Sequence, residues 1–284
     1  MVTEDNERRF QELKRVPRIA WPTVILFFCC LIALGVVTLY TLSANIPFWL
    51  GSIVNGLIIY FLFSAVHDAS HRSVSTIPWI NESIGHIGLF FFGPLATFGL
   101  ARWIHSQHHR FTNHSEKDPD NFGHEAGWKL FQWFFFDYFY TKYFLQQAGD
   151  VRKKYGLGIV MQALFITAVL ALAIAEGHLY EVFMLFVVPT RISSFLFVAM
   201  FVYLPHVPFH TTSLQNEYQA TNIRAGWEGL LSPLMAYQNY HLVHHLYPRV
   251  PFYRMVKIWN SRLQHHLSHD PYFVRTFGVS KVEV

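Results

Sequence analysis

Hydrophobic and polar positions alternate along this chain on the scale of bilayer thickness. Trp21–Leu42 is 22 residues without a charge, Pro47–Val66 is 20, Leu157–Ala175 is 19, and Val182–Leu204 is 23 with the single interruption Arg191. A spanning helix needs roughly 20 predominantly apolar residues. Ser43–Ile46 joins the first pair and Glu176–Glu181 the second, connections with room only for hairpin turns. The pattern predicts an all-α integral membrane fold of four transmembrane helices in two hairpins, with interfacial helices and a cap between and after them. One domain over residues 1–284 is expected.

Two other apolar stretches break the pattern. Ile84–Leu100 is 17 residues interrupted by Gly85, Gly88, Gly93, Pro94 and Gly99, which favours an interfacial or re-entrant segment over a fifth crossing. Trp128–Gln146 is aromatic-rich but carries Lys129, Asp137 and Lys142, and so reads as a helix lying in the headgroup plane. Arg191 is the anomaly, because a cation in mid-span costs roughly 3 kcal/mol or more unless it faces protein or water. With Pro189 two residues before it, a distorted helix is expected, with Arg191 bonded to freed carbonyls.

Composition agrees with a membrane protein. Charged residues make up 14% of the chain, against about 25% in soluble domains. Of 22 Lys and Arg, five precede the first span, nine lie between spans two and three, and seven follow span four; neither hairpin turn has one. The positive-inside rule then puts both termini and the long central segment in the cytoplasm. The net charge of +4 reflects this orientation, and no nucleic-acid partner is inferred. A charged N-terminus followed by a long apolar run argues against a cleavable signal peptide. Cys29 and Cys30 adjoin within span one and read as packing residues.

The chemistry lies in three histidine clusters: His67 and His71; His105, His108 and His109; His241, His244 and His245. Spacings of three and four residues share one helical face, so each cluster can aim its nitrogens at a common point. Structural zinc takes four ligands and catalytic zinc about three, so eight imidazoles suit two metal ions with positions left open. All three clusters fall just outside span ends on the basic side. His178, His265, His266 and His269 read as solvated, and His114 and His124 as loop residues of structural or supporting use. A zinc peptidase would show H-E-x-x-H, but Asp68 stands where the glutamate would be, and zinc would leave six imidazoles idle. A metal transporter would more naturally carry its polar residues inside the spans. Two irons facing a lipid-derived substrate use everything present. A zinc-dependent membrane hydrolase or metal-handling protein is the alternative of another class.

The clusters, with HSQHHRFTNHSEKDPD from His105 to Asp120 and NYHLVHHLYPRVP from Asn239 to Pro251, resemble the integral-membrane fatty-acid desaturase and hydroxylase superfamily. Leu204-Pro205-His206 and Gln238-Asn239-Tyr240-His241 are more similar to its bacterial β-carotene hydroxylase branch. The resemblance implies a non-haem di-iron centre, O2 as co-substrate, a cytoplasmic active site in a bacterial inner membrane, and two electrons from a separate donor protein of ferredoxin, rubredoxin or cytochrome b5 type. It implies a lipid substrate, either a fatty-acyl chain to be desaturated or hydroxylated or a carotenoid ring. It also implies a further histidine upstream of the third cluster, a role open to His206 or His210. Ligating imidazoles usually donate their second N–H to a carboxylate or carbonyl, and Asp68, Asp118, Asp120 and Asn239 are the candidates to receive it. A substrate channel is expected between span two, span four and Phe90-Phe91-Phe92.

Overall fold

The computed structural model describes residues 4–282. Four of its helices are long and apolar enough to cross a membrane: α2 (Trp21–Leu42), α3 (Phe48–Ser70), α7 (Gly149–Ala175) and α8 (Leu179–His206). α1 (Glu4–Lys14) precedes them. α4 (Pro78–Phe92), α5 (Phe98–Phe111) and α6 (Phe136–Leu145) lie between the two hairpins. The spans agree with the sequence pattern, but three run past their apolar limits. α3 continues through His67 to Ser70, α7 takes in the basic run Arg152–Lys154, and α8 extends to His206. A helix leaves the hydrocarbon without ending there, because its backbone hydrogen bonds are internal in either medium.

Within the bundle α3 is central, packed on α2, α4 and the middle of α8. Phe27, Ile59, Leu62, Val66, Phe92, Phe197 and Phe201 form the core between these helices. The segment Ile84–Leu100 is not a crossing. It divides at Gly93 into α4 and α5, which return the chain to the same end of the bundle. The glycines of α4 serve close packing: a Cβ on Gly85 would fall 2.0 Å from ring atoms of Phe98, and one on Gly88 would fall 2.4 Å from Val66 Cγ2.

Arg191 departs from expectation in its partners. α8 is distorted on both sides of Pro189, with π-helical turns at Phe183–Val187 and Val198–Tyr203. Yet the guanidinium does not turn to its own helix. It donates to Asp137 Oδ1 and Oδ2 at 2.8 and 3.1 Å and to the Phe134 carbonyl at 2.9 Å. Only a carboxylate can balance the charge as well as accept the hydrogen bonds. This pair docks the stretch around Asp137, a 3-10 segment Gly127–Phe135 running into α6, midway along α8.

Beyond the spans, a cap covers the end of the bundle from which His67 emerges. Phe10 of α1 is fully buried there with Leu242, Met255, Ile258 and Trp259. The cap also holds a short parallel pair that the hydrophobic pattern does not announce, β1 (Asn222–Ala225) and β2 (Tyr272–Arg275). Arg224 of β1 is buried and donates to the carbonyls of Leu204, Thr276 and Gly278, tying β1 to the end of α8. His266 is not solvated. It stacks on Trp259 at 4.7 Å, receives the Tyr247 hydroxyl at 3.1 Å, and is fully buried, whereas His178, His265 and His269 are exposed or nearly so.

Candidate metal centre

Each cluster is delivered by a helix end. His67 sits in the last turn of α3 and His71 caps it. His105, His108 and His109 share a face of α5, and His241, His244 and His245 occupy the short helix His241–Leu246. These three ends and that of α8 meet at one point. Ligand-capable nitrogens within 4.8 Å of one another form two quartets: His67, His71, His105 and His244; and His108, His206, His241 and His245. His109 lies between them, its ring 4.7 Å from that of His244 and 4.2 Å from that of His245.

The donor set fits metal. Metal–nitrogen bonds of about 2 Å put neighbouring donors about 3 Å apart, the spacing found here. Nε2 atoms face one another at 2.7 Å (His71 and His105), 2.9 Å (His109 and His244) and 3.0 Å (His241 and His245). The Nε2 atoms of His67 and His206 are buried without a hydrogen-bond partner, a state that buried polar atoms rarely keep. Burial, reinforced by the neighbouring rings, holds His105, His109, His241, His244 and His245 well below the ordinary pKa of 6.5, and His71 down to about 3. Neutral imidazoles offer the free lone pairs that ligation requires.

Around the quartets, second ring nitrogens are anchored. His108 Nδ1–H donates to Asp118 Oδ1 at 2.9 Å, and Asp120 Oδ2 lies 3.4 Å away. Burial pulls on His108 as on the others, but these two carboxylates outweigh it and hold the group up at about 9. Asp118 is fixed in turn by the backbone N–H groups of Asn113 and Asp120. His206 donates to the Val202 carbonyl at 2.6 Å, and His241 to Gln238 Oε1 at 2.5 Å.

Of the residues singled out in the sequence for the site and its channel, five do not sit as expected. His210 is exposed and joins neither quartet: α8 stops at His206 and the chain turns, so the spacing of four no longer places it on a shared face. Asp68 receives the Thr23 hydroxyl at 2.9 Å and the Phe252 N–H at 3.2 Å, not an imidazole. It joins α3 to the start of α2 and to the loop after the third cluster. Asn239 donates to Ser232 Oγ at 3.0 Å, and the contact expected of it is made by its neighbour Gln238. Of Phe90, Phe91 and Phe92, only Phe92 reaches the cavity below the site. Phe90 packs against Phe165 and Phe186, and Phe91 faces a groove on another side of α4.

That cavity, about 90 Å³, begins at His67 and His105 and runs between Phe63, Phe92, Phe136 and Phe197, with Ile159 of α7 on its wall. Its lining is apolar apart from the two histidines and the side chains of Ser70, Asp137, Tyr140 and Thr141.

The description "Fatty acid desaturase" belongs to the family whose pattern matches residues 43–276, most of the chain. The chain belongs to this family. A beta-carotene ketolase of Paracoccus sp. (strain PC1) is 28% identical over 197 residues, covering 68% of this chain and 72% of the relative. An sn-1 oleoyl-lipid 12-desaturase of Anabaena variabilis is 24% identical over 239 residues, covering 74% and 67%. Another, of Picosynechococcus sp. (strain ATCC 27264 / PCC 7002 / PR-6), is 33% identical over 105 residues, covering 36% and 28%. The family and these relatives make the chain an oxidoreductase of the desaturase type, with a histidine cluster able to hold metal.

Sequence reasoning missed two supporting residues. Gln238 was legible in principle, three positions before His241. Tyr140 was not: it reaches Asp120 from a different segment, 20 positions along the chain.

Proposed function

We propose that the chain is an O2-dependent di-iron membrane oxidoreductase that desaturates or hydroxylates a lipid hydrocarbon chain. The observation that carries this reading is the contact between the quartets and the cavity: His67 and His105 belong both to the first quartet and to the lining of an apolar slot. Removing hydrogen from an unactivated C–H bond is beyond protein side chains, and a pair of bound irons would supply the oxygen activation it needs. Two quartets with His109 between them account for nine imidazoles, more than a single zinc would take.

The chain's own residues provide the rest. Phe63, Phe92, Phe136 and Phe197 hold a hydrocarbon chain beneath the first quartet and exclude water from it. Asp118, Gln238 and the Val202 carbonyl set the tautomers of His108, His241 and His206, leaving each Nε2 as the donor. Electrons come from a separate ferredoxin-, rubredoxin- or cytochrome b5-like protein on the cytoplasmic side, toward which the basic segments orient the site.

A second substrate reading, oxygenation of a carotenoid ring, is favoured by the beta-carotene ketolase match, which covers most of both chains. One experiment separates the readings. The chain is expressed in a carotenoid-producing bacterial host; the purified protein is analysed for metal and the host for lipids and pigments. About two irons per chain with altered acyl unsaturation or hydroxylation is expected. Oxygenated carotenoids with unchanged acyl chains would favour the second substrate. Stoichiometric zinc without iron would overturn the di-iron reading.

A further inference from the structure

The cavity touches the two quartets unequally. His67 and His105 of the first quartet lie in its lining, whereas no member of the second does. The second quartet is reached through Tyr140. Its ring is half-buried, lines the cavity and packs against Phe136 at 5.4 Å and Phe122 at 5.7 Å. Its hydroxyl donates to Asp120 Oδ1 at 2.6 Å, and the other oxygen of that carboxylate faces His108 Nδ1 at 3.4 Å.

The two carboxylates beside His108 are held differently. Asp118 is clamped by two backbone N–H groups at 2.7 and 2.9 Å and is fixed by the chain itself. Asp120 receives its short bond from Tyr140, a side chain whose other face meets the substrate space. Burial and the adjacent Asp120 keep the Tyr140 hydroxyl protonated, so it remains a donor. A carboxylate facing the distal N–H of a ligating imidazole tunes the donor strength of that ring. Asp118 therefore sets the orientation of His108, while Asp120 can vary its basicity with the position of Tyr140.

We propose that Tyr140 is a positioning residue that couples filling of the apolar cavity to the metal position formed by His108, His206, His241 and His245. The inference rests on the metal-centre reading above. A hydrocarbon chain entering the slot presses on the Tyr140 ring, shifts its bond to Asp120, and changes the ligand field at the second position while the first is contacted directly. This ties the readiness of the second position to the presence of substrate.

The test uses full-length protein in detergent micelles loaded with Co2+, whose visible absorption reports the ligand field. Cobalt stoichiometry is measured first; fewer than two ions per chain in the wild type would fail the metal-centre reading itself. The wild type is then titrated with an oleoyl phospholipid and, separately, with β-carotene, recorded at wavelengths clear of the carotenoid bands. At least one probe is expected to shift the cobalt bands. Tyr140→Phe removes only the hydroxyl; it should keep both cobalt ions and show a smaller shift, retaining only the part that direct contact gives at the first position. Asp120→Asn breaks the same chain nearer His108, where Asp118 still orients the ring, and should reduce the shift by the same part. Tyr143→Phe, which removes a hydroxyl of the same helix that bonds the Lys117 carbonyl outside the cavity lining, should retain the full shift. A shift of wild-type size in either Tyr140→Phe or Asp120→Asn overturns the coupling, and so does a wild type with two cobalt ions that responds to neither probe.

Discussion

Replacing Arg191 with leucine should destabilise the protein far more than replacing Arg191 and Asp137 together. The guanidinium makes two bonds to Asp137 and one to the Phe134 carbonyl, and the two side chains are only 23% and 25% exposed. Removing it strands a carboxylate beside the apolar cavity that Asp137 helps to line. Breaking a buried pair from one side costs about 3–5 kcal/mol, whereas exchanging both partners for apolar residues is often neutral. Partial exposure places Arg191→Leu at the lower end, about 3 kcal/mol. At about 2–4 °C per kcal/mol for a chain of this size, the melting temperature should fall by roughly 6–12 °C. Asp137→Leu leaves the guanidinium unpaired in mid-span and should cost about as much. The double variant should melt within about 4 °C of wild type. The eight tryptophans make intrinsic fluorescence in detergent micelles a suitable readout. A double variant whose loss equals the sum of the two single losses would refute the reasoning, because the two groups would then be acting independently.

Three further outcomes follow from the site. His206→Ala should lower bound iron to about one ion per chain by elemental analysis, while His210→Ala, at an exposed position, should retain the wild-type content. Gly85→Ala places a methyl 2.0 Å from the Phe98 ring, which itself lines the cavity; at an overpacking cost of about 1–3 kcal/mol, lipid binding should weaken while metal content holds, and unchanged binding would show that the ring has room to move. Metal-free protein should lose stability as pH falls from about 6.5 to 5. His71, His105, His109, His241, His244 and His245 are held neutral by burial, so the unfolded chain binds more protons than the folded one in that window. Asp120, raised to about 6 by burial, opposes this with one proton against six. His108, raised to about 9, gives stability that is present below pH 6.5 and fades only above it. A melting temperature that rises on acidification would contradict these burial effects.

The spans and the eight cluster histidines were legible because both obey periodicities: bilayer thickness for the first and helical spacing for the second. His206 and His210 show where periodicity stops serving. Their spacing of four has meaning only on a continuous helix, and α8 ends between them. Contacts that join distant segments left no local mark. Arg191 announced a need for a partner, but nothing in the pattern named Asp137, 54 residues away. Asp137 had read as a headgroup-facing residue of a surface helix. The β1–β2 pair escaped for the same reason, its two short strands being 50 residues apart in register.

Asp68 shows how one helix end serves several tasks at once. Phe63, Val66, His67 and Ser70 fall at the offsets of a single α-helical stripe, and all four line the cavity. The cavity wall and the His67 ring of the first quartet are therefore one continuous surface of α3. Asp68 follows His67 by one residue, about 100° around the helix, and so points away from that surface. It meets Thr23 of α2 and the Phe252 N–H instead. That second bond anchors the loop leaving His241–Leu246, the helix that brings His244 to 4.3 Å from the His67 ring. Adjacent residues thus divide the work: His67 faces the other histidines of its quartet, and Asp68 holds the partner helix in register with it. A histidine–aspartate neighbour pair suggests an imidazole–carboxylate contact in sequence, but on a helix neighbouring side chains diverge, and the carboxylate that does meet an imidazole comes from the Asp118 loop.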